Sequence, residues 1–214
     1  MSDNLVLRSY DAVFDASEEQ AGVINGKPIV FNSRTNLGYF DEVIEVGALD
    51  DANLEDIRFC LNHDTSYVYA RSRRNNANST MQVSTDMDGM KIRATLDIDE
   101  SPRARDLYTA IKRGDIDKMS FMFSVDEDRW EELETEHPTR HITKIGSVVE
   151  VSAVTFPAYE ATEINARSRE ALENARSAVE TARQQNAESV DTDSNSSENE
   201  LNLAKAKFMF RSKI

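Results

Sequence analysis

The sequence predicts an α+β, β-rich domain over residues 1–166, followed by a C-terminal tail that is part helix and part disordered chain. Short apolar runs recur between turn signals in the first 166 residues, as in folds made of many short strands. One helix with clear end signals interrupts them, and the composition changes after Arg167. Strands at this spacing favour a barrel or a folded-over sheet.

The predicted strands are short runs in which apolar residues alternate with polar ones or dominate. In chain order they are VLRSYDAVF, KPIVFN, DIRFCLNHD, SYVYARSR, MQVSTD, MKIRATLDI, KMSFMFSV, RHITKIGS and VVEVSAVTF. The DMDG turn at 86–89 joins two of them as a hairpin. The stretch FDEVIEVGAL at 40–49 fits either a strand or a short helix, and its apolar spacing slightly favours a helical turn.

The segment between Ser101 and Gly114 carries the signals of both ends of a helix. Ser101 suits the N-cap, Pro102 the first helical position, and Gly114 the left-handed residue that follows a helix. Four apolar residues fall on one face: Ala104, Leu107, Tyr108 and Ile111. The sequence therefore predicts an amphipathic helix.

The tail after residue 166 falls into three segments. Residues 167–189 are rich in helix formers but have few large apolar side chains, which predicts a largely solvated helix. Residues 190–200, VDTDSNSSENE, form an acidic linker with almost nothing to bury and are predicted to be disordered. Residues 201–214, LNLAKAKFMFRSKI, form a basic amphipathic segment that is interpreted as a docking peptide or a loosely held terminus.

Charge and composition exclude several function classes. The formal net charge is −14, whereas broad nucleic-acid binding needs a basic surface. No apolar run approaches the roughly 18 residues of a membrane span, and the N-terminus lacks a signal-peptide core. The three histidines and one cysteine are widely scattered, so no zinc site is expected. A soluble, cytoplasmic protein is the default expectation.

Ser120 is a small hydroxyl residue inside the apolar run KMSFMFSV. By strand alternation Met119 and Phe121 point to one face and Ser120 to the other. A strand serine is usually a small residue that accommodates a neighbour, so Ser120 alone indicates no function. Cys60, in the apolar run IRFCL, is interpreted as a buried small hydrophobe.

His63 and Glu150 also stand beside or within apolar runs. By alternation His63 shares a face with Ile57, Phe59 and Leu61, where a histidine is usually structural. Glu150 interrupts VVEVSAVTF; it either faces water on an edge strand or is buried, which is costly without a partner. Serine, histidine and a buried acid are the parts of a catalytic triad, but composition leaves open whether they meet in space.

Three motifs in a defined order resemble the prohead serine protease family of tailed bacteriophages. They are NHD, ARDLYTAIKRGDIDKMSFMF and VVEVSAVTFPAY, and the resemblance extends to FDEVIEVGAL and to Arg71. It covers roughly residues 5 to 166. The family is distantly similar in fold to the herpesvirus maturation protease, assemblin. The resemblance therefore implies an assemblin-like β-barrel with surrounding helices.

The resemblance also implies roles for individual residues. His63 matches the family's general base and Ser120 its nucleophile. Glu150 takes the place of the acidic residue in the third motif and is the expected third member of the triad. In assemblins that role belongs to a second histidine, which makes His141 the alternative. His137 lies in an acidic loop and is expected on the surface.

The chain departs from the family pattern at two positions near these residues. Met122 stands where a small residue is common, and Ala153 where a proline is common. Neither change removes a catalytic group, although Met122 is expected to alter the wall beside Ser120.

The function that the resemblance implies is a serine endopeptidase that uses neither metal nor organic cofactor. Its expected substrates are the scaffold-like portion of the major capsid protein precursor and the protease itself, inside the prohead that assembles in the host cytoplasm. The sequence does not decide whether the protein forms a homo-oligomer. Neither nucleic acid nor a membrane is an expected partner. Two alternatives are a non-catalytic, protease-like assembly or scaffolding factor and an unrelated small-molecule-binding β-barrel.

Overall fold

The computed structural model describes residues 5–10, 14–17, 20–156 and 168–185. The chain divides into two units, Met1–Glu170 and Ala171–Ile214. The strands of the described residues all belong to the first unit. The linker predicted at 190–200 and the amphipathic segment predicted at 201–214 lie outside the described residues.

Most strands of the described residues are short and the last two are long, and one helix lies between the ninth and the tenth. The strands are β1 (Leu5–Tyr10), β2 (Phe14–Ala16), β3 (Val23–Val30), β4 (Thr35–Asn36), β5 (Asp41–Ile44), β6 (Asp56–Leu61), β7 (Ala70–Arg73), β8 (Met81–Asp86), β9 (Gly89–Thr95), β10 (Lys118–Glu131) and β11 (Thr139–Val154). Helix α1 spans Pro102–Arg113, and residues 168–185 form helix α2. Neither of these described helices is long and apolar enough to cross a membrane.

The strands form two open sheets. The larger has seven strands: five lie along the path β1-β10-β11-β5-β4, β6 pairs with β11 off this path, and β7 pairs with β6. The smaller has the order β2-β3-β9-β8. The predicted β-rich α+β class is confirmed, but within the described residues neither sheet closes into a barrel. β11 pairs with β5 along Thr139–Ile142 and with β6 along Glu150–Ala153, so the larger sheet branches at this strand.

β10 and β11 form a long antiparallel hairpin within the larger sheet. β11 joins RHITKIGS and VVEVSAVTF, which the sequence predicts as separate strands. Near their junction, a Cβ atom added to Gly146 would lie 2.2 Å from Asp126 Oδ1. The missing side chain lets the strands approach, and the pairing has register shifts between Met122 and Asp128.

The stretch FDEVIEVGAL forms a strand and a turn, so the favoured helical turn is wrong for its first half. Asp41–Ile44 form β5, which pairs in parallel with β11. Gly47 follows with a φ of 90°, in a turn that takes the chain away from the sheet. Over so few residues the apolar spacing fits both the period of a helix and the period of a strand. Pairing with β11 makes this segment a strand.

Helix α1 and the β8–β9 hairpin are confirmed. The Ser101 side chain accepts a hydrogen bond from Ala104 N at 3.3 Å, and Gly114 has a left-handed φ of 77°. The four predicted apolar residues of α1 are buried. In the hairpin, a Cβ on Gly89 would lie 1.9 Å from the Ile29 carbonyl oxygen, so only glycine fits this close approach.

One hydrophobic cluster joins both sheets and the inner face of α1. Met119, Phe121 and Phe123 point into it, as alternation along β10 predicts. Each buried phenylalanine contributes roughly 1.5–3 kcal/mol, and a register slip of one residue would turn these side chains out of the cluster. The core therefore fixes Ser120 on the opposite face of β10.

Candidate active site

Three strands bring candidate residues to one face of the larger sheet. Ser120 in β10 pairs with Ser152 in β11, which pairs with Cys60 in β6. Side chains of directly paired residues lie on the same face, and so does Glu150, two residues before Ser152. This face lies opposite the hydrophobic cluster.

His63 links Ser120 to Glu150. Its Nε2 lies 2.8 Å from Ser120 Oγ, and its Nδ1 lies 2.7 Å from Glu150 Oε2. A carboxylate accepts hydrogen bonds, so this contact favours the tautomer with the proton on Nδ1. In that tautomer Nε2 is free to accept a hydrogen bond from Ser120 Oγ. The three side chains form a series of hydroxyl, imidazole and carboxylate.

The backbone at His63 is left-handed. Asn62 and His63 have φ values of 50° and 60°, which are uncommon for residues other than glycine. Such conformations cost of order 1–3 kcal/mol each and persist only where the surroundings hold them. Here β11 holds the turn, because Asn62 N donates to Ala153 O at 2.9 Å and Asn62 Oδ1 accepts from Thr155 N at 2.9 Å.

This turn explains why the predicted face of His63 is wrong. Ile57 and Phe59 point into the hydrophobic cluster, whereas the His63 ring binds Ser120 on the other face. Strand alternation ends with β6 at Leu61, and the two left-handed residues that follow carry the imidazole around the end of the strand.

Glu150 is buried, with 1% of its surface exposed, so the alternative in which it faces water is wrong. Its Oε1 accepts a hydrogen bond from Ser152 Oγ, while Oε2 faces His63 Nδ1. Ser152 Oγ also accepts a hydrogen bond of 3.0 Å from His63 N. Partners on both oxygens offset the cost of burying the carboxylate.

Ser120 Oγ has a second acceptor, the Arg8 carbonyl oxygen of β1, at 2.8 Å. A hydroxyl has one proton, so this carbonyl and His63 Nε2 compete for it. The side chain of Arg8 forms a buried ion pair with Glu42 of β5, which fixes β1 beside Ser120. Arg140 Nη1 lies 3.3 Å from the same carboxylate.

Cys60 is fully buried on the face that carries Ser120. Burial, with a smaller effect from the charge of Glu150, raises the pKa of its thiol to about 12. A nucleophilic cysteine needs an accessible thiolate. Cys60 therefore does not compete with Ser120 as a nucleophile.

His141 lies far from this series. Its Nδ1 is 3.0 Å from Glu45 Oε1, and its Nε2 is 3.2 Å from Glu131 Oε2. It precedes Glu150 by nine residues in β11, which is about 30 Å of extended strand. The structure thus brings Glu150, and not His141, to Nδ1 of His63.

Two further residues singled out from the sequence have structural partners. His137 Nε2, in the exposed residue two positions before β11, lies 2.9 Å from Asp41 Oδ1. Arg71 donates two hydrogen bonds of 2.6 Å to Asp56, and these lower the pKa of that carboxyl. Within the described ranges, no group of three or more His, Cys, Asp and Glu side chains is placed to hold a metal ion.

Sequence reasoning missed Ser152 and the Arg8 carbonyl. Ser152 had a usable signal, because it stands two residues after Glu150 in one strand and must share its face. The carbonyl had none, since a backbone oxygen reaches Ser120 only through the pairing of β1 with β10.

The family model described as caudovirus prohead serine protease matches residues 6–177. This range includes Ser120, His63 and Glu150. No curated protein and no solved structure matches the chain.

Proposed function

Because the chain belongs to the caudovirus prohead serine protease family, we propose that it is a serine endopeptidase with Ser120 as nucleophile and His63 as general base. Glu150 is the carboxylate that orients His63. The supporting observation is the pair of hydrogen bonds, 2.8 Å from His63 Nε2 to Ser120 Oγ and 2.7 Å from Nδ1 to Glu150 Oε2. Triads are recognised by this geometry and not by chain order.

Acylation follows from these positions. His63 Nε2 accepts the Ser120 proton while Oγ forms a bond to the carbonyl carbon of a peptide. Glu150 accepts the Nδ1–H hydrogen bond throughout, which holds the tautomer and stabilises the imidazolium. The imidazolium then donates its proton to the leaving amine as the C–N bond breaks, and an acyl-enzyme remains. Water, deprotonated by His63, hydrolyses the ester and restores Ser120.

Substrate access requires a local opening. Ser120 has 0% exposed surface, while the His63 side chain is 18% exposed. The turn that carries His63 lies outside regular strands, and the proposed opening breaks the hydrogen bonds that hold Asn62 and His63 to β11. The closed protein in solution is therefore expected to cleave slowly, and faster where a bound polypeptide stabilises the open state.

The proposed substrate is the scaffold-like portion of the major capsid protein precursor, inside the prohead in the host cytoplasm. Self-cleavage in the acidic linker at 190–200 belongs to the same proposal, since proteases cut exposed segments that have little to bury. The basic segment at 201–214 would tether the enzyme to the capsid interior. A homo-oligomer and a distant assemblin-like fold relationship are also proposed, on the family resemblance alone.

The test is co-expression of the wild type and of Ser120→Ala with the capsid protein precursor, followed by intact mass measurement. Only the wild type should shorten the precursor and itself. Ser124→Ala is the matched control, because Ser124 is a serine of the same strand that binds Ser147 Oγ at 3.0 Å. It should cleave like the wild type.

Two results would overturn the assignment. Shortening by Ser120→Ala would mean that another nucleophile acts. If no protein shortens the precursor, yet shells form only when the chain is present, the non-catalytic assembly factor replaces the protease.

A further inference from the structure

Ser152 is hydrogen-bonded both to His63, the proposed base, and to Glu150, the proposed carboxylate. Its Oγ accepts a hydrogen bond of 3.0 Å from the backbone N of His63 and donates one to Oε1 of Glu150. The residue is fully buried. It pairs with Ser120 on one side and with Cys60 on the other, so it lies at the centre of the strand row that carries the site.

We propose that Ser152 is a positioning residue for the reaction, which holds the His63 backbone and the Glu150 carboxylate in one fixed relation. This inference rests on the proposed function. A hydroxyl has one proton, and Ser152 uses it on Glu150 while an oxygen lone pair receives the His63 amide. Neither the His63 backbone N nor the Glu150 carboxylate can move away without breaking its hydrogen bond to Ser152 Oγ.

The backbone of His63 gives Ser152 a specific task. His63 is in the left-handed conformation at a φ of 60°, which the chain would leave if its amide lost its partner. A relaxed turn would move the imidazole away from Ser120 and Glu150 together. A catalytic side chain must be held to within about 0.5 Å, and a shift of about 1 Å can cost roughly 100-fold in rate.

The decisive comparison is Ser152→Ala with Ser152→Thr, since threonine keeps the hydroxyl. Ser147→Ala in the same strand is the matched control. Ser152→Ala should lower kcat on a capsid-precursor peptide about 10- to 100-fold, with KM changed less than about threefold, because misplacement affects the chemical step. Ser152→Thr should recover most of kcat. A kcat for Ser152→Ala within about twofold of the wild type would overturn the inference.

A second measurement needs no turnover and separates this inference from the proposed function. In 15N-labelled protein, the Nδ1–H proton of His63 should be protected from exchange with water, and Ser152→Ala should speed that exchange at least about tenfold. Unchanged exchange in a folded Ser152→Ala protein would overturn the positioning role, whether or not the chain proves to be a protease.

A separate observation concerns a cleft of about 630 Å³ at the end of the larger sheet. Its apolar and aromatic lining residues are Leu61, Leu107, Ala110, Ile116, Tyr67 and Tyr69, and its polar lining residues are Asn62, Asp64, Arg103 and Asp106. The two tyrosine rings pack edge to face with centroids 4.7 Å apart. The Tyr67 hydroxyl lies 2.9 Å from Ser101 Oγ, and the Arg103 guanidinium lies 4.9 Å from the Tyr67 ring centre. The volume falls within the roughly 300–1,000 Å³ of ligand pockets.

The cleft lies beside the turn that carries the proposed base. Its lining includes Asn62 and Asp64, the chain neighbours of His63, and His63 Nε2 lies 2.8 Å from Ser120 Oγ. A polypeptide bound at Ser120 and His63 can therefore extend into the cleft.

From this position and lining we infer that the cleft takes a large apolar side chain of the substrate, a few residues from the scissile bond. This inference also rests on the proposed function. The apolar and aromatic lining residues favour a large apolar side chain over a small one through the surface removed from water. Occupation of the cleft would select the cleavage site.

The test uses Asp106→Trp, which places a ring at the exposed rim of the cleft, and Thr109→Trp, which places one on α1 outside it. Each is co-expressed with capsid precursors that carry Leu or Ala near the mapped cleavage site. The wild type and Thr109→Trp should prefer Leu about tenfold or more, and Asp106→Trp should lose that preference. The same preference in all three proteins would overturn the inference, whereas no cleavage by the wild type would count against the proposed function.

Discussion

His63 Nδ1 lies 2.7 Å from Glu150 Oε2, at a place where the carboxylate is withdrawn from water. The contact sets the tautomer of the imidazole and leaves Nε2 facing Ser120. It also joins two motifs that are far apart in the chain, because β6 and β11 pair in parallel along Glu150–Ala153.

Glu150→Gln is expected to lower kcat by about 10³- to 10⁴-fold while the protein remains folded. The neutral amide cannot stabilise the imidazolium, and its NH₂ group favours the wrong tautomer when it faces Nδ1. The measurement is kcat for a capsid-precursor peptide, with circular dichroism to check folding.

Glu131→Gln is the control for Glu150→Gln, because Glu131 is the exposed partner of His141. It should keep kcat within about twofold of the wild type, as expected for a surface ion pair. A large loss in Glu131→Gln together with a small loss in Glu150→Gln would favour His141 as the third member of the triad.

Glu42→Ala is expected to lower the free energy of unfolding by about 3–5 kcal/mol, because it leaves the buried Arg8 guanidinium without its carboxylate. Urea unfolding in the Ser120→Ala background measures this without self-cleavage. Glu45→Ala, which removes a more exposed carboxylate, should cost no more than about 1 kcal/mol. Equal losses in the two variants would contradict a structural role for the Arg8–Glu42 pair.

Asn62→Ala is expected to destabilise the protein by about 1–3 kcal/mol, since it removes the acceptor of Thr155 N and leaves alanine in a left-handed conformation. Asn62→Gly loses the same hydrogen bond but adopts that φ freely, so it should cost less. Unfolding midpoints in urea rank the two. If glycine is the more destabilising, the left-handed backbone is not what limits this turn.

The buried thiol of Cys60 is expected to make the free energy of unfolding depend on pH. Its thiol pKa is about 12 in the folded protein, against about 8.5 in an unfolded chain. Above about pH 8.5 the unfolded state releases this proton and the folded state retains it, so the free energy of unfolding falls as pH rises towards about 12. Ser120→Ala/Cys60→Ala should lack this contribution. A stability difference between it and Ser120→Ala that stays constant from about pH 7.5 to pH 10 would contradict the buried thiol.

The sequence predicted those elements whose signals are local. Ser101 and Gly114 defined α1 correctly, and the turn before Gly89 defined a hairpin. Alternation placed Ser120 opposite Phe121 because β10 is regular at that point. These predictions required no knowledge of which elements pack together.

The predictions that proved wrong concern segments in which contacts with another strand override a local sequence pattern. β5 is a strand because β11 pairs with it, although its residues also fit a helical turn. His63 leaves its predicted face because its neighbour Asn62 is hydrogen-bonded to Ala153 in β11 and to Thr155 just after that strand. The branching of the larger sheet at β11 likewise depends on partners that alternation along one strand cannot identify.

The most direct test of the central claim is reaction of the folded protein with a fluorophosphonate, followed by mass spectrometry of its peptides. One adduct on Ser120 is predicted for the wild type, none for Ser120→Ala, and a rate at least about 100-fold lower for His63→Ala, which lacks the base. An adduct at another residue with Ser120 unmodified, or labelling of His63→Ala at the wild-type rate, would contradict the assignment of Ser120 and His63 as nucleophile and base.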